Sequence, residues 1–179
     1  MRKVNAVLSA VILALCLIHG VLGAFRLLGG DNDVAKGLAW AAVVLIVIHA
    51  YIGIRLTAQT VRVWKATGVP YFRQNALFWA RRISGFALMI LLGLHVTAFG
   101  HTTAQGFRLQ MFDRMKLMTQ ILLVLSMAVH VISNVRPMMI GLGIRSLKEH
   151  AGEILAVLSV LLFFMAAALV VYYLRWNSF

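Results

Sequence analysis

The sequence predicts an all-α integral membrane bundle of five transmembrane helices, in which helices 1–2 and 3–4 form an internal repeat. Three observations predict it. The 179 residues are 62% hydrophobic and only 12% charged, with a mean hydropathy of +0.91, more apolar surface than a soluble domain of this size could hide. Five apolar stretches are each long enough to cross a bilayer, which takes about 20 residues at 1.5 Å apiece. Histidines recur within the first four stretches in matching positions. The chain therefore reads as one membrane domain over 1–179, with repeat halves at approximately 1–66 and 76–145 and a fifth helix at approximately 150–175.

The first stretch, from Asn5 to Leu28, follows the basic residues Arg2 and Lys3 and superficially resembles a secretory signal. Its apolar run exceeds a typical signal core, so it is expected to be a membrane helix. The stretch Gly37–Val61 follows the turn-forming GGDND. The stretches Arg82–Phe99, Lys116–Ile140 and Gly152–Leu174 complete the set. The longest connection, Arg62 to Arg81, is basic and contains Gly68 and Pro70. Trp40, Trp64, Trp79 and Trp176 fall near stretch ends, as an interfacial belt requires.

Of 22 charged residues 17 are basic, giving +12. Without a soluble basic face, this charge points to membrane orientation, anionic lipid headgroups and cofactor carboxylates, not to nucleic acid. An inner N-terminus puts eleven basic residues inside, from Arg2 to Lys148, and six outside, where Asp31, Asp33 and Asp113 offset part of them. The expected topology is N-terminus cytoplasmic and C-terminus outside, multi-pass in a prokaryotic cell membrane. The single cysteine, Cys16, excludes an intrachain disulfide, and no Cys-x-x-Cys-His run offers covalent haem attachment.

Histidines carry the chemistry. His19, His49, His95 and His130 sit one on each of the first four stretches, a costly placement in hydrocarbon. A lone membrane histidine commonly just bonds a neighbouring helix, but four at repeat-related positions are best explained as axial ligands of two b-type haems. Because both halves of the repeat run the same way through the membrane, equivalent histidines share a depth. His19 is expected to pair with His95, and His49 with His130. The first pair lies about 18–22 Å from the inner face and the second roughly 17–21 Å from the outer one. Two axial imidazoles leave no open position on the iron, so such a site transfers electrons and does not activate a substrate.

Neighbouring residues fit the same reading. Gly23 and Gly53 stand four positions after His19 and His49, on the ligand face, and Ser126 and Asn134 flank His130 by four. These small residues would equally permit close helix packing. Asn5, Ser9, Cys16, His19, Gly23 and Arg26 form a polar stripe, with Arg26 placed to reach a propionate of the outer haem. Arg81, Ser84 and His95 fall near one stripe of the third helix. Arg55, Arg81, Arg82 and Arg136 gather at the inner end, where the propionates of an inner haem or a quinone need partners; each could instead snorkel to headgroups. Glu149, His150 and Glu153 suit a helix N-terminus, and His101 a solvated outer loop.

The segment His130-Val-Ile-Ser-Asn-Val-Arg136-Pro-Met-Met-Ile-Gly resembles the haem-ligand helix of the large membrane anchor of succinate dehydrogenase and fumarate reductase. Arg81-Arg82-Ile83-Ser84-Gly85 is similar to the His-Arg-x-Ser-Gly start of that subunit's first helix. His49-Ala-Tyr-Ile-Gly-Ile-Arg55 resembles the small anchor's His-Ala-Trp-Ile-Gly. The resemblance covers helices two to four, and implies a single-chain dihaem anchor of that family. It implies that His49 and His130 hold the family's common b haem, that Arg82 lies beside its propionates and the quinone, and that His19 and His95 bind the second haem. Three positions depart from the family: Gly141 stands for an aspartate, Phe78 for a quinone-contacting serine, and Thr60-Val61 for an Asp-Tyr pair. The ubiquinone site is thus not reproduced, and a menaquinone at a rearranged site is expected.

The implied partners are a flavoprotein subunit and an iron–sulfur subunit on the cytoplasmic face, since this chain has neither cluster cysteines nor a dinucleotide loop. Dicarboxylate chemistry would reside there, with the basic stretch Arg62–Arg82 as a docking rim. Two rivals stay open. One is a cytochrome b subunit of a hydrogenase or formate dehydrogenase, which would place the catalytic partner outside. The other is a haem-free proton channel or transporter that uses the histidines as relays.

Overall fold

A computed structural model describes residues 2–30, 34–68, 76–103, 106–109, 111–144 and 147–177. Five helices fill most of this: α1 (Arg2–Leu27), α2 (Val34–Thr67), α3 (Ala76–Ala98), α4 (Arg114–Leu142) and α5 (Leu147–Asn177). All five are long and apolar enough to span a membrane, as expected of a multi-pass membrane protein.

Each helix runs beyond its apolar core. Backbone hydrogen bonding continues past the hydrophobic limit wherever no breaker intervenes, so α2 extends to Thr67 and stops at Gly68, whose φ is +67°. At about 1.5 Å per residue its last turns project beyond the hydrocarbon and carry the exposed Arg62 and Lys65. Asp113 caps α4 by accepting from the Lys116 N–H at 2.8 Å, and Gly143 closes it in the left-handed conformation.

One element was not foreseen. The α3–α4 connection is an antiparallel hairpin of β1 (Gly100–Thr103) and β2 (Gly106–Leu109), with His101 opposite Arg108 in the backbone register. Four-residue strands are too short for an alternating pattern to stand out. The connections at 31–33, 69–75 and 145–146, and with them Asp31, Asp33, Pro70, Arg73 and Arg145, lie outside the described residues.

Packing follows the connectivity. α1 lies against α2, α3 against α4, and α1, α4 and α5 pack on one another. α1 with α3, and α2 with α4, form no comparable seam. They sit diagonally across a four-helix arrangement that α5 backs on one side. Phe112, Leu169 and Tyr172 form a buried cluster with Leu27 and Phe99 at the end carrying the C-terminus, read above as outer. There Arg175 donates to the Leu28 carbonyl at 3.0 Å and Asn177 to that of Phe112 at 3.3 Å, tying α5 to the ends of its neighbours.

Candidate functional site

The diagonals carry the histidines. His19 of α1 faces His95 of α3 with ring centroids 6.0 Å apart and planes at 81°. His49 of α2 faces His130 of α4 at 6.4 Å and 90°. Both pairs are the ones expected from the sequence, and each bridges two helices that do not pack on one another.

Their levels follow from three helices independently. Ser9 touches His49, Ser84 touches His130 and Gln120 touches His95. Ser9 to His19, Ser84 to His95 and Gln120 to His130 are each ten or eleven residues along a helix. The two pairs are therefore separated along the bundle by about 15 Å.

Hydrogen bonds fix the ring tautomers. The Ser84 hydroxyl donates to the Ala80 carbonyl at 2.6 Å, so its oxygen is left to accept. His130 Nδ1 lies 3.2 Å from that oxygen and 3.2 Å from the Arg81 carbonyl, which only accepts. His130 thus carries its proton on Nδ1 and leaves Nε2 bare. Ser9 likewise donates to the Asn5 carbonyl at 2.8 Å and offers its oxygen to His49 Nδ1 at a long 3.5 Å. His95 Nδ1 meets the Gln120 side-chain oxygen at 2.7 Å. Histidines that ligate metals are held in this way, with one nitrogen anchored and the other free to bind.

These residues fit axial haem ligation. Metal–imidazole bonds of roughly 2 Å, plus about 1.1 Å from nitrogen to ring centre, set opposed centroids ~6.2 Å apart. Both observed separations bracket that value. Among the described residues no three His, Cys, Asp or Glu side chains converge as a bare metal ion would require. A pair of imidazoles makes a complete site only when a macrocycle supplies the other ligands.

Glycines shape the approach to the rings. A Cβ on Gly85 would lie 3.1 Å from His130 Cε1, and one on Gly53 3.7 Å from an Arg82 guanidinium nitrogen. A Cβ on Gly23, four after His19, would meet nothing within 4 Å. Open space thus lies beside Gly23, whereas Gly53 and Gly85 are packed against Arg82 and His130.

The arginines divide. Arg81 and Arg82 are half-buried at the start of α3, and the Nε of each is buried without a hydrogen-bond partner. Arg82 also stacks over Phe78, 5.0 Å from the ring centre. Both line a groove of about 460 Å³ with Leu56, Gln59, Thr60 and Val63 of α2. Two orphaned cationic donors suit an anionic or strongly accepting ligand.

Arg55 and Arg136 do not join them. Both are exposed, and Arg55 donates to the Tyr51 hydroxyl at 3.0 Å. Six residues past a histidine is about 240° around a helix, so the shared His-to-Arg spacing matches depth but turns each arginine off the ligand face. Arg26 is half-buried near the C-terminal end of α1, one turn from the closing Gly29. His150 and Glu153 form an exposed pair at 3.2 Å, away from both histidine pairs. Two partners escaped the sequence reading. Gln120 is the sole amide side chain on the N-terminal half of α4, and that isolation is its signal. Ser9 reads from sequence only as part of a polar stripe.

Comparison with protein-family models, with curated proteins and with solved structures finds no match.

Proposed function

We propose that this chain is a dihaem cytochrome b membrane anchor, built as an internal repeat. It would exchange electrons between a menaquinone-type pool and a peripheral flavoprotein and iron–sulfur succinate dehydrogenase or fumarate reductase on the cytoplasmic face. The observation that carries this is the pair of diagonal histidine couples at 6.0 and 6.4 Å, bridging helices with no packing seam between them. Two b-type haems, when bound, supply one-electron carriers at two depths.

The chain's own residues position and insulate. His19 and His95 hold the outer site, His49 and His130 the inner one, with the Gln120 amide oxygen engaging Nδ1 of His95 and the Ser84 and Arg81 oxygens that of His130. Arg81 and Arg82 neutralise negative charge at the inner site, and Ser84 orients His130. The groove beside them, between α2 and α3, accepts a quinone headgroup by donating from the two guanidinium groups. Thr60 takes the place there of the acidic residue common in the resembling family, so the charged groups offered to the headgroup are the two arginines. The exposed Arg62 and Lys65 offer a basic rim to a soluble partner.

The test is an absorbance spectrum of protein purified in mild detergent, with identification of copurifying polypeptides. A reduced b-type α-band and a haem content of two per chain are expected, with flavin and iron–sulfur subunits on the N-terminal face. A colourless folded protein removes the electron-carrier reading and leaves the histidine relay. A catalytic partner on the opposite face favours the hydrogenase or formate dehydrogenase type.

A further inference from the structure

Gln120 stands apart from the other partners of the histidines. It is 1% exposed, and with Phe112 it is the largest fully buried side chain among the described residues. An amide in the interior of a membrane bundle is costly unless both its ends are bonded, whereas leucine would fill the same space without that cost. Both ends are bonded here. The Thr119 hydroxyl donates to the Lys116 carbonyl at 2.8 Å, so its oxygen accepts from the Gln120 amide nitrogen at 3.3 Å. This leaves the Gln120 carbonyl pointing at His95 Nδ1 at 2.7 Å. The reverse amide orientation would set the carbonyl oxygen against the Thr119 oxygen, whose proton is already given to Lys116, and would turn an N–H toward Nδ1, demanding a proton on the other ring nitrogen. The network thus runs one way, from a helix carbonyl through Thr119 and Gln120 to a His95 that is protonated at Nδ1 and bare at Nε2.

The inner histidines are held differently, by a backbone carbonyl at 3.2 Å and by serine oxygens at 3.2 and 3.5 Å. An amide oxygen at 2.7 Å is the strongest of these acceptors, and a stronger acceptor at Nδ1 makes the ring a better donor at Nε2. We propose that Gln120 is the positioning residue of the outer site: it fixes the His95 tautomer, aims Nε2 at His19, and sets the affinity and potential of that site independently of the inner one. The potential and affinity rest on the haem reading above; the tautomer does not.

The experiment uses the full chain in detergent, with Q120L removing the acceptor at similar size and Q120E keeping an oxygen at similar reach. In wild type the His95 Nδ1–H proton, assigned by its loss in H95A, resonates as a strongly hydrogen-bonded one in reduced, diamagnetic protein. Q120L shifts it upfield, lowers haem retention at the outer site by roughly 10–100-fold and raises the midpoint potential of that site alone. Q120E restores the hydrogen-bonded resonance and retention while lowering the outer midpoint. The proposal is overturned by an unchanged resonance and outer midpoint in Q120L. It is equally overturned if both variants perturb the two sites alike, which marks a packing residue only. Should Q120L not fold, an unmoved outer midpoint in Q120E overturns it. If wild-type protein binds no haem, the haem reading fails, and the His95 resonance in wild type against Q120L still decides the tautomer.

Discussion

The Nδ1 of His130 donates to the backbone carbonyl of Arg81, 3.2 Å away, while the Arg81 side chain has a buried Nε with no partner. One residue of α3 therefore does two separable things. Its carbonyl orients a ring on α4, and its guanidinium, with that of Arg82, faces the groove at the inner end. Substituting the side chain should leave the ring untouched.

R81Q and R82Q should thus keep the spectrum of the inner haem as a bis-histidine species, while weakening anion or quinone binding. A lost charge-assisted hydrogen bond, worth about 1.5–3 kcal/mol, corresponds to roughly a ten- to hundredfold rise in the quinone KM. R55Q and R136Q, on exposed faces, should change stability by no more than about 0.5 kcal/mol and leave the KM unmoved. Quinone titrations of the four variants separate the two classes.

Removing ligands should report the diagonals directly. H49A and H130A should each delete the same haem, and H19A and H95A the other, halving haem content in every case. Paramagnetic resonance of the oxidised protein would show which of two low-spin signals disappears. A crossed pattern, such as H19A and H49A deleting one signal together, contradicts the geometry.

Much of this arrangement was legible in the sequence because the cost of polar groups in hydrocarbon makes each one conspicuous. Five apolar runs gave five helices, and histidines at similar depth in two halves running the same way gave the pairs His19–His95 and His49–His130. What sequence did not reveal was azimuth. Arg55 and Arg136 share a depth with the inner site but face outward, because six residues is not a whole number of turns. The hairpin strands β1 and β2 are too short for alternation to show, and the Gln120 contact depends on α3 and α4 becoming neighbours, which the spacing within either helix does not encode.

The longest of the histidine contacts should matter least. Ser9 reaches His49 at 3.5 Å, beyond the range of a strong hydrogen bond. S9A should therefore retain both haems and cost under about 1 kcal/mol in stability. S84A, which removes one of two acceptors 3.2 Å from His130, leaves the Arg81 carbonyl in place and should broaden the inner low-spin signal without abolishing it. Thermal unfolding followed at the haem absorbance would rank the two.

Two glycines make opposite cases for the same substitution. A Cβ on Gly20 would come within 2.6 Å of Met165, but the atoms it meets are the Sδ and Cε at the end of a flexible thioether. Those atoms can swing aside, so G20A should cost about 1 kcal/mol or less, with haem content unchanged. A Cβ on Gly85 would stand 3.1 Å from Cε1 and 3.4 Å from Nδ1 of His130, a looser contact by distance. Yet the imidazole cannot move without giving up its bonds to Arg81 and Ser84 or its alignment with His49. A shift of a few tenths of an ångström at a ligand is felt in the metal bond, whereas the same shift in a methionine is absorbed by its rotamers. G85A should accordingly lose roughly 10–100-fold in inner-site haem retention while the outer haem stays bound. Equal haem loss in G20A and G85A would show that helix crowding, not ring alignment, governs the inner site.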